Sequence, residues 1–303
     1  MRRFCAFSPP ALVASIIWGL SLIYTKWAVL ELPAAGVALL RFAVAAAAAC
    51  ALLPAAARSA RHGCPWRWIV GLALISITIP HLLYTEGLRL TTAVHGGWIM
   101  GWQPAVTAAL SVPILRERLT RTRLLGIAIG ALGMTLVITE GHWAGLSLAR
   151  GAVRGDLLVL AATTFWSLQA ALGRKYAGEC PPVALTAYTI ILGWLFLLPW
   201  GGLGEISHAW RNLSPRFWVS ILFLGLLASL VAYWLWYKAL EVCEASLVAG
   251  YLYLEPIVTS VAAALILGER MSAAAIAGGA LILVGLFTAH QHPRTTAPRE
   301  AAT

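Results

Sequence analysis

Long apolar runs recur along the whole chain, separated by short stretches with charges, proline and glycine. A helix that crosses a bilayer takes ~20 predominantly apolar residues, which is close to the length of these runs. Because the runs are continuous rather than alternating, they favour helices over the strands of a membrane β-barrel. Hydrophobic residues make up 60% of the chain and charged residues 11%, and the mean hydropathy is +0.80. These values exclude a soluble globular domain and a disordered chain.

We therefore predict an all-α membrane protein with ten transmembrane helices, whose ends are defined to within a few residues. They cover 10–30, 33–55, 67–88, 92–115, 121–139, 155–174, 181–200, 215–237, 245–267 and 273–290. The first run follows Arg2 and Arg3 as in a signal peptide. It is long and lacks a convincing small-residue cleavage site, so we expect it to be retained as the first span.

The formal charge of +10 is attributed to orientation in the membrane. With a cytoplasmic N-terminus, 14 Lys and Arg residues fall in cytoplasmic segments and 7 on the other side. This bias predicts a membrane protein with both termini in the cytoplasm, in contact with lipid and not with nucleic acid.

The chain resembles itself at a fixed spacing. A shift of 152 residues places Pro104 on Pro256 and Glu117 on Glu269, and a shift of 148 places Trp18 on Trp166. Two five-helix units are therefore predicted, and the odd number of helices makes the second unit enter the membrane from the opposite side. Inverted repeats of this kind are typical of secondary transporters. The predicted segments are 1–9 (cytoplasmic), 10–139 (first repeat), 140–154 (extracytoplasmic linker), 155–290 (second repeat) and 291–303 (disordered cytoplasmic tail).

Several short motifs carry a resemblance to a known family. They are Trp18-Gly19, Leu40-Arg41-Phe42, the helices of Pro104 and Pro256, Glu117-Arg118-Leu119, Leu267-Gly-Glu-Arg270 and the glycine-rich helices that follow. With these motifs, the chain resembles the EamA branch of the drug/metabolite transporter superfamily, and most of all bacterial aromatic amino-acid exporters. The resemblance implies a bacterial inner-membrane protein that exports amino acids or other metabolites through a central cavity lined by the first, third, fourth, sixth, eighth and ninth helices. Arg116 before Glu117 departs from the usual Gly-Glu pair.

Polar groups inside spans are costly, so each is a candidate site residue. Glu255, next to Pro256, is interpreted as a proton-coupling group, a ligand for a substrate amine, or a structural glutamate beside a proline-opened backbone. Its repeat counterpart is Gln103. His81 follows Pro80 and could bind a carboxylate, relay a proton or make a structural hydrogen bond, and Tyr84 shares its helix face.

Aromatic residues complete the predicted substrate site. Deep tryptophans could stack on an aromatic or cationic substrate, or could pack against helices or lipid. The full set is Trp18, His81, Tyr84, Trp98, Trp102, Gln103, Trp166, Gln169, Tyr251 and Glu255. The tryptophans near span ends are predicted to form an interfacial belt. These are Trp66, Trp68, Trp143, Trp200, Trp210 and Trp218.

Other charged residues are given local roles. Lys26 is expected to snorkel outward or to meet an anionic substrate at the exit, and Arg41 to pair with a residue such as Glu31. Glu117 and Glu269 are interpreted as helix-end ion pairs or gate-stabilising contacts, and His95 as an entrance or interfacial residue.

The glycines of the fifth and tenth helices predict close packing, either of these helices with each other or with a second protomer. The molecule is accordingly expected to be a monomer or a weak homodimer.

The leading hypothesis is a secondary carrier that exports amino acids, aromatic or hydrophobic ones above all, or related small metabolites by alternating access. Few acids lie within spans, which favours facilitated uniport over obligatory proton coupling. The alternatives are a proton-coupled multidrug or organic-cation carrier, a channel or structural bundle, and a membrane enzyme. The enzyme is disfavoured because the sequence shows no His/Asp cluster. No GxxxxGK[S/T] motif is present, and no cofactor, metal or catalytic residue is predicted.

Overall fold

A computed structural model describes residues 7–59, 65–115, 121–139, 151–175, 181–242 and 251–290. Within these ranges all regular structure is helical. The helices are α1 (Pro9–Val29), α2 (Ala34–Cys50), α3 (Leu53–Ser59), α4 (Trp66–Leu90), α5 (Ala93–Met100), α6 (Gln103–Leu115), α7 (Arg121–Thr139), α8 (Gly151–Lys175), α9 (Pro182–Leu197), α10 (Leu203–Ala209), α11 (215–242), α12 (Tyr251–Leu267) and α13 (Ala273–His290).

The predicted helix at 92–115 is interrupted. A turn at Gly101 and Trp102 separates α5 from α6. Pro104 follows directly and has no N–H to donate to the preceding turn, which explains why the regular hydrogen-bond ladder stops here. The predicted helix at 33–55 is likewise divided into α2 and the short α3, by a turn before Leu53. Helix α8 begins at Gly151, four residues before the predicted start, so Asp156 lies inside the helix.

Wide, π-helical turns occur at Ala263–Leu267 in α12 and in two helices nearer the interior. The latter two lie at Leu74–Thr78 in α4 and at Phe223–Val231 in α11. A π-helical turn shifts the backbone bonding from i→i−4 to i→i−5, and such turns are frequent at functional sites. Both segments face the interior helix α1 or α8, where they form part of the site described below.

Helices from the two halves of the chain pack against one another. The pairs include α1 with α12, α6 with α8, α2 with α11, and α4 with α9. Helix α2 also packs against α9, and α7 packs extensively against α13. Helices of the first half therefore form the core together with helices of the second half.

Glycines bring α7 and α13 close together. A Cβ placed on Gly133 would lie 2.5 Å from the Gly278 carbonyl oxygen, and one on Gly285 would lie 2.5 Å from the Gly126 carbonyl oxygen. Only glycine permits this backbone approach. The sequence left open whether these two helices pack against each other or against a second protomer. In the structure they pack against each other.

The distribution of polarity is the reverse of that in a soluble protein. Many large apolar side chains on the outer faces are exposed, such as Leu265 at 81% and Phe287 at 74%. Charged side chains such as Arg41, Asp156 and Glu255 are instead buried among the helices. This arrangement matches a hydrocarbon environment, in which apolar surface is solvated and polar groups turn inward.

Length and composition agree with that environment. In the described part of the chain, four helices are long and apolar enough to cross a bilayer, and further apolar helices are shorter. The four are Pro9–Val29, Trp66–Leu90, Gly151–Leu172 and Pro215–Trp236. The fold is therefore that of an all-helical, multi-pass membrane protein.

Several tryptophans of the predicted interfacial belt are exposed near helix ends. Trp66, Trp68, Trp200 and Trp210 each expose more than a third of their surface. Trp218 is half-buried and packs edge-on against Trp210 at 4.5 Å. Trp143 lies outside the described residues.

Candidate functional site

Two tryptophans on interior helices bind the wide turns of neighbouring helices. The Trp166 indole Nε1 donates to the Ser76 carbonyl oxygen at 3.0 Å, and the Trp18 Nε1 donates to the Ala228 carbonyl oxygen at 2.9 Å. Ser76 and Ala228 are 152 positions apart, the same shift that relates the motifs of the two halves. The two indoles thus donate hydrogen bonds to backbone carbonyls that occupy corresponding positions in the two halves of the chain.

An aromatic cluster surrounds Trp166. Its ring lies 5.2 Å from His81 and 5.5 Å from Tyr84, both on α4. Phe42 on α2 packs edge-on against His81 at 4.5 Å. The His81 Nδ1 lies 2.9 Å from the Ile77 carbonyl oxygen, so this nitrogen carries the proton and the hydrogen bond is local. The structure therefore brings three predicted site residues together and adds Phe42 to them.

A matching cluster surrounds Trp18. Its ring lies 5.4 Å from Tyr233 and 5.3 Å from Trp236, both on α11. Tyr233 stands 152 positions after His81, and Trp236 stands 152 positions after Tyr84. The two clusters thus use corresponding positions with different aromatic side chains.

Arg41 adds a buried positive charge that the predicted site did not contain. Its side chain is 4% exposed, and Nε donates to the Ser229 hydroxyl on α11 at 2.9 Å. The expected pairing with Glu31 is wrong. The Glu31 carboxylate instead accepts from the Ser214 N–H at 2.8 Å and its hydroxyl at 2.7 Å, at the start of α11.

The sequence indicated that Arg41 lies deep within a span, but the partner predicted for it was a carboxylate nearby in the chain. The missing information was the partner on α11, which lies 188 positions away. The useful signal was the depth of Arg41 within an apolar helix, which makes an ionisable residue a candidate for a functional site.

Glu255 and Gln103 lie at corresponding helix starts. The Glu255 side chain is buried on α12, and its backbone carbonyl lies against Gly19, where a Cβ would come within 3.1 Å. The Thr259 hydroxyl ties α12 to the same stretch of α1 by donating to the Gly19 carbonyl at 2.8 Å. The Gln103 backbone carbonyl accepts from the Ser167 hydroxyl at 3.1 Å, next to Trp166.

Four predicted site residues lie apart from the clusters: Trp98, Trp102, Tyr251 and Gln169. Trp98 and Trp102 occupy space left by glycines, since a Cβ on Gly279 or Gly130 would lie 2.6 or 2.5 Å from the respective indole. The Tyr251 hydroxyl accepts from the Ser8 N–H at 2.9 Å, before the start of α1. Gln169 is half-buried on α8.

One end of the bundle is held by polar contacts between helices. Both carboxylate oxygens of Glu269 accept from backbone N–H groups at the start of α5, those of Ala93 and Val94, each at 3.0 Å. Lys26 on α1 donates to the carbonyls of Leu88, at 2.7 Å, and of Thr91. Glu269 therefore caps a helix that the sequence did not connect with it, and Lys26 turns inward to the end of α4. Glu117 lies outside the described residues.

The same end contains a histidine–aspartate pair. His95 Nδ1 lies 3.1 Å from an Asp156 carboxylate oxygen, and the Thr91 hydroxyl donates to the other oxygen. The expectation that no His/Asp cluster exists is therefore wrong, because the fold joins residues 61 positions apart. Here Thr91 and His95 both bind the carboxylate, which ties α5 to α8. Among the described residues no group of His, Cys, Asp and Glu is arranged to hold a metal ion.

Comparison with known proteins identifies the family. The model of the EamA-like transporter family matches the chain twice, over residues 10–139 and 153–289. The chain belongs to this family and is a transporter.

Relatives of similar length share about a quarter of their residues with the chain. A transporter of Archaeoglobus fulgidus without assigned function is 28% identical over 280 residues, covering 91% of this chain and 95% of the relative. A probable amino-acid metabolite efflux pump of Salmonella typhimurium is 27% identical over 285 residues, covering 91% and 92%. A crystal structure with 21% identity has a TM-score of 0.65 and covers 93% of this chain and 95% of its own, which supports the fold.

Proposed function

We propose that the protein is a secondary carrier that exports amino acids, chiefly aromatic or hydrophobic ones, or related small metabolites by alternating access. The observation that carries this proposal is the group of buried and half-buried aromatic rings on α1, α4, α8 and α11, together with the buried charges of Arg41 and Glu255. Such a combination suits a ligand with an apolar body and a charged head. The efflux pump of Salmonella typhimurium is named for amino-acid metabolites, which supports the same substrate class.

Alternating access rests on an inverted pair of five-helix repeats, which we propose as 10–139 and 155–290, joined by a linker at 140–154. The two matches of the family model support this division. The corresponding tryptophan–carbonyl bonds, Trp166 to Ser76 and Trp18 to Ala228, support it at the level of side chains. Two equivalent halves can exchange roles, so that the site opens first to one side and then to the other.

The test is counterflow in proteoliposomes that contain the purified protein. Labelled L-phenylalanine, L-leucine, an organic cation and a sugar are offered against the same unlabelled compound, at two pH gradients. We expect accelerated exchange of the amino acids with little effect of the pH gradient, as for a uniporter. Absence of exchange for every amino acid would overturn the proposal.

A second candidate is a proton-coupled carrier of organic cations. It is favoured by Glu255, a buried carboxylate for which the described residues supply no ion pair. The same experiment separates the two functions. Exchange confined to the organic cation, and driven by the pH gradient, would favour this candidate.

A further inference from the structure

Arg41 is a buried cation with most of its hydrogen-bonding capacity unused. A guanidinium has five N–H donors, and within the described chain one of them, on Nε, has an acceptor, the Ser229 hydroxyl. No carboxylate of the described residues lies within ion-pair distance of it. A buried charge is stable only with a counter-charge or several hydrogen bonds. The planar guanidinium binds carboxylates with two parallel hydrogen bonds.

Glu255 is a buried anion in a comparable situation. Its side chain is 6% exposed, and the described residues provide neither a hydrogen-bond donor nor a cation for the carboxylate. Like Arg41, Glu255 is therefore a buried charge without a counter-charge among the described residues, but its charge is negative.

Trp18 and Gly19 of α1 contact the segments that carry the two charges. The Trp18 indole binds the Ala228 carbonyl, and the next residue, Ser229, accepts a hydrogen bond from Arg41. Gly19 packs directly against the backbone carbonyl of Glu255. A short series of contacts thus connects Arg41 and Glu255 through α1, yet the two side chains do not form an ion pair with each other. Two buried charges of opposite sign that are connected through one stretch of helix and not paired with each other suit a ligand that carries both signs of charge.

We propose that Arg41 binds the carboxylate of the substrate and Glu255 binds its ammonium group, so that the carrier selects zwitterionic amino acids over simple amines and simple acids. This inference rests on the proposed function and specifies how its substrate is recognised. The aromatic rings around Trp18 would then contact the side chain of the amino acid, to which they offer apolar faces.

The first test uses the wild-type protein and three competitors of similar shape. Exchange of labelled L-phenylalanine is measured in the presence of unlabelled L-phenylalanine, phenethylamine or 3-phenylpropionate. The amine lacks the carboxylate and the acid lacks the amine. We expect each to compete at least roughly tenfold less well, because either one leaves a buried charge unpaired.

The second test uses variants. Arg41→Gln and Glu255→Gln are expected to reduce phenylalanine exchange by roughly tenfold or more, and Arg41→Lys to retain part of it. Arg89→Gln and Glu86→Gln are matched controls, since these two residues form an exposed ion pair at 2.6 Å, and they should leave exchange unchanged.

The outcomes separate the two proposals. If wild-type protein exchanges no amino acid, the proposed function fails, and this inference fails with it. If it exchanges amino acids but the amine and the acid compete as well as phenylalanine does, this inference alone is overturned. Unchanged phenylalanine exchange in both Arg41→Gln and Glu255→Gln would also overturn it.

Discussion

At the scale of residues, hydrogen bonds to opened backbone organise the site. The carbonyls of Ser76 and Ala228 lie in π-helical turns, and each receives an indole N–H from a neighbouring helix. A buried carbonyl left without a donor costs about 1–3 kcal/mol, so the tryptophan fixes the wide turn. The wide turn in α4 precedes His81, and the one in α11 contains Ser229, the partner of Arg41. The tryptophans therefore also position the polar groups.

The replacement Trp166→Phe or Trp18→Phe keeps an aromatic ring but removes the N–H donor. We expect each to destabilise the protein by about 1–3 kcal/mol and to slow phenylalanine exchange, because the wide turn loses its partner. Thermal unfolding in detergent and counterflow measure the two effects. Trp200→Phe is the control, since Trp200 is 66% exposed at a helix end. If both variants match the wild type in stability and exchange, these bonds have no such role.

Part of this residue-scale description was predictable. The depth of Trp18, Trp166, His81 and Glu255 within apolar helices indicated candidate site residues, and the structure places the first three in aromatic clusters. The sequence also predicts a shared helix face for Trp98 and Trp102, but a turn at Gly101 and Trp102 ends that helix, and helix spacing cannot tell which neighbours the two rings meet. In the structure the neighbours are glycines of α7 and α13.

At the scale of helices, close packing of α7 and α13 forms one side of the bundle. Both helices have glycines where their backbones touch, and a Cβ on Gly278 would lie 2.6 Å from the Gly133 carbonyl oxygen. The Trp102 indole packs against Gly130 of α7, and the Trp98 indole packs against Gly279 of α13. This packed pair lies to one side of α1, α4, α8 and α11, the helices that carry the proposed substrate site.

The replacement Gly133→Ala is expected to destabilise the protein by about 1–3 kcal/mol, because the new methyl group meets backbone that cannot move aside. Gly71→Ala is a matched control within a helix, since a Cβ there meets nothing within 4 Å. The control should be neutral or slightly stabilising, as alanine favours helix. Thermal unfolding compares the two variants, and equal melting temperatures would contradict the close contact.

At the scale of the whole molecule, the distribution of polar and apolar side chains is the reverse of that in a soluble protein, and the two halves of the chain make contacts at corresponding positions. Apolar side chains cover the outside and polar ones lie between helices, and pairs such as α1 with α12 and α6 with α8 join the two halves. One end of the bundle is further tied by Glu269, Lys26 and Asp156. An alternating-access cycle must break such ties at one end while the other end closes.

Reporter fusions test the proposed orientation. The excess of Lys and Arg on one side predicts that a reporter at the C-terminus is active in the cytoplasm. A reporter in the linker at 140–154 should be active outside it, because an odd number of spans precedes this segment. A C-terminal reporter active in the periplasm would contradict the topology.

The sequence by itself determined the class of fold. The length and continuity of the apolar runs are local properties, and a bilayer imposes them directly, since each span must satisfy its own backbone. Tertiary structure decided which polar groups meet. Arg41 joins Ser229 across 188 positions, and His95 joins Asp156 across 61. Such pairs depend on the rotation and packing of whole helices, which the apolar pattern leaves free because every face of an interior helix is similarly apolar.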